Sequence, residues 1–166
     1  MTQPHSLRAG PRSPWRTRYF VDTEFTDFKL ETRELISIAI VGEDGREFYG
    51  ECSDFDRTCC NEFVREIVLP QLGKVPGRSM PFVMLREELL EWLQTVPTKP
   101  KPVLSYDSDC DYQLILHLLD GPLPRGWKHE NVFLKIDANR FAEYISVNGG
   151  EHHALFDARA NAFAFI

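Results

Sequence analysis

Tyr19-Phe20-Val21-Asp22-Thr23-Glu24-Phe25 decides how the rest of this chain is read. Its β-branched and aromatic residues predict a strand, and the strand ends in two carboxylates one residue apart. Side chains alternate across a strand, so Asp22 and Glu24 share one face a few ångströms from each other. Like charges held that close repel, and a divalent cation is the usual resolution. The plain alternative is a solvated strand end. Two further strands follow at once. Leu35 to Val41 is apolar but for Ser37, and Arg46 to Cys52 alternates around Phe48, with the Asp44-Gly45 hairpin signal between them. Short connections predict that these three strands are at least partly antiparallel.

Beyond them the periodicity turns helical. Asn61 to Leu69 places Phe63, Val64, Ile67 and Val68 at helical spacing before Pro70, and Met84 to Val96 repeats the pattern. Pro97, Pro100 and Pro102 lead into a short strand, Val103-Leu104-Ser105, and a helix from about Cys110 to Leu119. Two last helices, Asp137 to Ile145 and His153 to Phe165, flank Asn148-Gly149-Gly150. Strands first, then strands alternating with helices, predict an α/β layer structure with a mixed sheet.

With 166 residues, the chain is expected to form one main domain. At 43% hydrophobic and 27% charged residues its composition is that of a globular protein, and no apolar run approaches the ~20 residues of a membrane span. The net charge of −6 is uneven: Arg8, Arg12, Arg16 and Arg18, with no acid among them, put +4 on the first 18 residues. The remainder therefore carries −10. Residues 1–17, with Pro4, Pro11 and Pro14 and no apolar periodicity, are expected to be a disordered basic tail, and 18–166 the folded domain. So acidic a body argues against ordinary phosphate gripping by a basic surface, unless clustered carboxylates recruit cations that do the gripping. Cys52, Cys59, Cys60 and Cys110 form no C-x-x-C pair, which disfavours structural zinc and fits a reducing, cytoplasmic setting.

Two more constellations carry chemistry. Ser105-Tyr106-Asp107-Ser108-Asp109-Cys110-Asp111 follows a strand and opens a helix, with more acids than one helix cap needs. Gly149-Gly150-Glu151-His152-His153-Ala154-Leu155-Phe156-Asp157 delivers two histidines at the start of an Ala-rich helix holding Asp157.

Together these segments resemble the DEDD exonucleases, in the branch where a histidine assists catalysis. Asp22-Thr23-Glu24-Phe25 matches that family's D-x-E motif, and His152 to Asp157 matches its H-x-x-x-x-D motif. The segments Tyr19 to Phe25, Glu34 to Ile40, Gly45-Arg46-Glu47 and His152 to Arg159 look most like the small bacterial exoribonucleases typified by a mycobacterial member. The middle motif departs from the common H-N-x-x-F-D. Setting Tyr106-Asp107 on H-N makes Asp111 the catalytic Asp, whereas the small bacterial relatives carry a Tyr-Asp pair that aligns with Tyr106-Asp107 itself. Asp111 is favoured and Asp107 is its rival.

The resemblance implies an RNase H-like mixed sheet flanked by helices, and 3′-5′ hydrolysis of single-stranded RNA or short oligonucleotides by two Mg²⁺ or Mn²⁺ ions. Asp22, Glu24, Asp157 and Asp111 or Asp107 would be the ligands, and His152 the general base. His153 lies outside the matched spacing, so His153→Ala is expected to reduce turnover only mildly, whereas His152→Ala is expected to lose most of it. Phe25 and Tyr106 are candidates to stack on a terminal base, with a place in the core as the alternative for each. Arg140 and Arg159 could reach phosphates or lie on solvated helix faces. Single-stranded DNA is the other substrate expected, a non-catalytic binding module of the same fold is the other class of function, and a homodimer is among the assemblies the resemblance allows.

Overall fold

The computed structural model describes residues 12–166. Most of the expected tail, residues 1–11, lies outside them. The first strand, β1 (Arg16–Phe25), begins two residues earlier than the predicted boundary, because Arg16 and Thr17 pair with Lys101 and Pro102. β2 (Leu35–Gly42) and β3 (Glu47–Cys52) complete an antiparallel meander. β4 (Ser79–Met80) adds to β3 in parallel at one edge. On the other side β5 (Lys101–Tyr106) runs parallel to β1, and β6 (Lys128–Asn131) parallel to β5. The described residues thus form one six-stranded mixed sheet in the order β4-β3-β2-β1-β5-β6.

The helices α1 (Phe82–Thr95), α2 (Asp109–Leu119), α3 (Ala138–Asn148) and α4 (Ala154–Ala164) follow the predicted periodicities closely. The expected helix at 61–69 differs. Its backbone is π-helical over Val64–Val68 and becomes 3-10 at Leu69–Gln71. Pro70 has no N–H with which to continue a regular α ladder. The edge strands β4 and β6 were not foreseen. One is two residues long and the other reads Lys-His-Glu-Asn, so neither carries an apolar alternation.

Period two sorts β2 onto two layers. Ile38 and Ile40 join Tyr19, Val21, Leu85, Leu89, Ile115 and Leu118 in the main core with α1 and α2. Ala39 and Val41 face the other way, onto Ala154, Leu155 and Ala158 of α4. All eight β2 residues are buried, as a central strand covered on both faces must be. The small side chains of α4 bring its backbone close to the sheet, and that approach places the helix's polar residues at the end of β1. Ala39 and Ala158 are both fully buried. Ala158→Leu is therefore expected to lower stability by about 1–3 kcal/mol through overpacking, measured by denaturant unfolding.

Candidate active site

Three elements end at the same place. β1 carries Phe20, Asp22 and Glu24 on the face that α4 covers, where Phe20 packs on Phe165 at 5.4 Å between ring centroids. The strand pairing shifts register between Glu24 and Phe25, so regular pairing breaks just past the second carboxylate. Such irregularities re-aim side chains beside functional sites. The start of α2 brings Asp111, and the first turn of α4 brings Asp157.

The acids assemble as two adjoining groups. Asp22, Asp107 and Asp111 form one, and Glu24, His152 and Asp157 the other; within each, potential ligand atoms lie within 4.8 Å of one another. Both rivals for the middle motif are therefore present, in different settings. Asp111 is 3% exposed, and its Oδ1 accepts from the Thr23 backbone N–H at 3.1 Å and the Thr23 hydroxyl at 2.6 Å. Asp107 is half-buried. Thr23 points to the opposite face from its acidic neighbours and fastens the helix start to the strand. The sequence reading missed this role, although a hydroxyl between two carboxylates was its available signal.

Burial and mutual repulsion raise every carboxyl for which a shift is resolved here. Asp22 is pushed well above the usual range, first by burial and then by Asp111, Glu24, Asp157 and Asp107. Burial, then Asp157 and Asp111, raise Glu24 to about 8. Burial raises Asp111 to about 8 against the opposing hydrogen bonds from Thr23. Asp157 rises to about 7, again chiefly by burial. Its Oδ2 accepts from the His152 backbone N–H at 3.0 Å, while its buried Oδ1 has no partner. An unpaired carboxylate oxygen among other acids fits a divalent cation: the donors are hard oxygens, and positive charge would relieve both the repulsion and the orphaned atom.

Gly149 and Gly150, at φ 69° and 84°, lead into His152, itself at φ 64°. A Cβ at Gly150 would meet the Phe156 ring at 2.5 Å, so the turn requires glycine there. The His152 ring is partly exposed and sits edge-on to Phe63, 4.9 Å between centroids.

His153 has a different fate. It is 2% exposed, caps α4 by accepting from Leu155 N–H at Nδ1, and stacks on Tyr49. Its Nε2 lies 3.2 Å from the Tyr49 hydroxyl, which donates to Glu51 at 2.6 Å; Glu51 also accepts from the Gly73 N–H. His153 thus caps the helix that holds Asp157 and belongs to its structural support. Tyr49 and Glu51 were not anticipated.

Tyr106 lies on the core side of the two alternatives left to it. It is 6% exposed, within the main core, with Tyr112 stacked on it at 4.9 Å and its hydroxyl 3.1 Å from His129. Phe25 packs against the same core, takes Phe28 edge-on at 5.2 Å and lies under the Arg33 guanidinium. Arg159 makes a two-pronged pair with Glu47, and Arg140 lies over the Phe163 ring.

Two outcomes follow from this geometry. His153→Ala removes a cap and a buried hydrogen bond, and should cost about 1–3 kcal/mol of stability, whereas His152→Ala should leave the melting temperature nearly unchanged. The second concerns pH. The folded-state pKa values of Glu24, Asp111 and Asp157 lie above their unfolded values near 4, so the folded chain binds these protons more tightly. Their contribution is fully present below about pH 4 and is lost as pH rises through about 7 to 8. Thermal melts in chelator should therefore fall progressively between about pH 4.5 and 8 and level off above that, and the slope should shrink in Asp22→Asn or with a divalent cation added.

No protein-family model matches the chain. Over 55 residues it is 51% identical to a 3′-5′ exoribonuclease of Mycobacterium tuberculosis, found in two strains. That match covers 33% of this chain and 32% of the relative, so it spans about a third of the relative's length. Among solved structures, exonuclease I from Methylocaldum szegediense aligns with a TM-score of 0.59 at 15% identity, covering 88% of this chain and 38% of that one. The Mg²⁺- and Mn²⁺-bound form of S. pombe Pop2p aligns at 0.60 and 12% identity, covering 87% and 79%. E. coli exonuclease I in complex with a dA16 oligonucleotide aligns at 0.59 and 12%, covering 89% and 39%. The chain thus has the RNase H-like fold of these exonucleases and is similar, over a third of its length, to a mycobacterial 3′-5′ exoribonuclease.

Proposed function

We propose that the chain is a metal-dependent 3′-5′ exonuclease that hydrolyses phosphodiester bonds from the 3′ end of single-stranded RNA or short oligonucleotides. The observation that carries this reading is the meeting of Asp22, Asp107 and Asp111 with Glu24, His152 and Asp157 at one end of the sheet. Asp22, Glu24 and Asp157 would hold one divalent ion, and Asp22 with Asp111 or Asp107 a second; Mg²⁺ or Mn²⁺ bound there would neutralise phosphate charge and acidify the attacking water. This accounts for a polyanion entering an acidic body.

The remaining work falls to the chain itself. His152, on its glycine-rich turn, is placed to accept a proton at an imidazole nitrogen from the attacking water. Water adds to phosphorus, the bond to the 3′ oxygen breaks, that oxygen takes up a proton, and a nucleoside 5′-monophosphate departs. The Asp157 carboxylate fixes the turn by accepting from the His152 backbone N–H, so base and ligand move together. Asp111 is the better supported ligand of its pair, because Thr23 holds it in one position.

No described helix is long and apolar enough to cross a membrane. The free cysteines fit a cytoplasmic setting, and the resemblance supports a homodimer.

End-labelled RNA and DNA, single- and double-stranded, should test the reading with Mn²⁺ or chelator present. The expected result is a ladder that shortens from the 3′ end on single-stranded RNA, vanishes with chelator, and slows by roughly 10²–10⁴-fold in His152→Ala. Faster loss of DNA would move the assignment to a deoxyribonuclease. No cleavage under any condition would favour a binding module.

A further inference from the structure

Beside the acidic cluster, with Asp107 in its lining, lies a cavity of about 460 Å³. Asp107 forms one wall, Phe133, Leu134, Ile136 and Phe141 supply apolar surface, and Asn161 of α4 completes the lining. Phe133 and Leu134 are exposed large apolar side chains. Asn161 is the opposite: it is 3% exposed, and its buried Oδ1 has no hydrogen-bond partner. It sits one turn beyond Asp157, on the same face of α4.

A buried amide oxygen without a partner carries a desolvation cost of roughly 1–3 kcal/mol, and because the Asn161 side chain lines this cavity, a turn of its amide would bring that oxygen to a donor from outside the chain. A nucleoside supplies both halves of the match, a flat apolar base and a sugar hydroxyl. The geometry points to a nucleoside subsite here, in which Asn161 Oδ1 accepts from a ribose 2′-hydroxyl. The inference rests on the exonuclease reading above and adds to it the determinant that would separate RNA from DNA.

Chemistry selects which nucleoside. Asp107 groups with Asp22 and Asp111, and in the two-ion reading proposed above the ion held there would face the leaving 3′ oxygen, opposite the ion that activates water. The sugar bearing that oxygen, the penultimate one of the strand, carries its 2′-hydroxyl on the adjacent carbon. Holding that sugar beside Asp107 therefore brings its 2′-hydroxyl to the same cavity, while its base meets Phe133 and Leu134. An amide turns about its broad terminal torsion to meet the hydroxyl. Asn161 is thus a specificity-determining residue, and the apolar wall binds either sugar alike.

The test uses the full chain and oligoribonucleotides carrying a single 2′-deoxy sugar at the last, penultimate or third position from the 3′ end. In the native protein, the penultimate substitution should lower kcat/KM by about three- to tenfold, the worth of one hydrogen bond, and the others by less. In Asn161→Ala and Asn161→Ser that difference should shrink below about twofold, while Phe141→Ala should weaken RNA and DNA binding by equal factors. Fluorescence anisotropy of labelled oligonucleotides, with Ca²⁺ in place of the reactive ions, should show the same loss of sugar preference without turnover. A penultimate deoxy sugar that costs nothing in the native protein overturns the assignment whether or not the variants fold. An undiminished preference in a folded Asn161→Ala does so too. Absence of cleavage of the all-ribose strand by the native protein would instead overturn the exonuclease reading, and the subsite with it.

Discussion

The structure depends on an arrangement that electrostatics opposes. Asp22, Glu24, Asp111 and Asp157 are brought together at a place withdrawn from water, where each raises the cost of ionising the others. Left alone, such a cluster would favour a different packing or protonation. It persists because the scaffold around it is stiff. Asp22 and Glu24 are paired with Ala39 and Ser37 of the central strand β2, Asp111 is tied to Thr23, and Asp157 sits on a helix packed against β1 and β2. The repulsion that burdens the free protein is the same property that makes the site attractive to divalent cations.

Each of those anchors has a local cause in the chain. Alternation along β1 gives Asp22 and Glu24 to one face and Thr23 to the other, so one strand both presents two carboxylates and fastens a third. Alanines at 154, 158, 160 and 164 are all fully buried, and their small volume lets α4 approach the sheet. Ahead of that helix, Gly149 and Gly150 take up the positive φ angles that turn the chain, and His153 caps the helix itself. Adjacent histidines thereby take separate tasks. One is inserted among Tyr49, Phe156 and the helix N-terminus, and the other stays at the surface beside the acids.

Much of this was legible in the residues. The meander, the later parallel strand and four helices follow from apolar periodicity, because those elements bury a face and their patterns record it. The edge strands were not legible, since Lys128 to Asn131 and Ser79-Met80 pair through backbone with little buried side-chain surface to mark them. The spacing over Asn61 to Leu69 predicts a helix, but the period does not distinguish the π-helical turn at Val64–Val68, where Val64 and Val68 pack with Ile36 and Cys60. Tyr106 shows a similar limit: an aromatic ring looks the same in sequence whether its faces meet a nucleobase or Tyr112.

The sequence by itself determined which acids stand on which elements, because the two-residue period of β1 and the helical periods that begin near Cys110 and His153 are local properties of the chain. It also determined that His152, not His153, has the spacing to Asp157 that the resemblance requires. Tertiary structure alone decided how these groups meet. Asp111 lies 88 residues from Thr23 along the chain, and His153 lies 104 from Tyr49. Nothing local encodes such pairings, because they arise only when the crossovers bring β1, α2 and α4 to one end of the sheet. The same holds for Asn161, an ordinary polar residue in the sequence, which becomes a buried amide with an unmatched oxygen only when α4 is seated beside Phe133, Ile136 and Phe141.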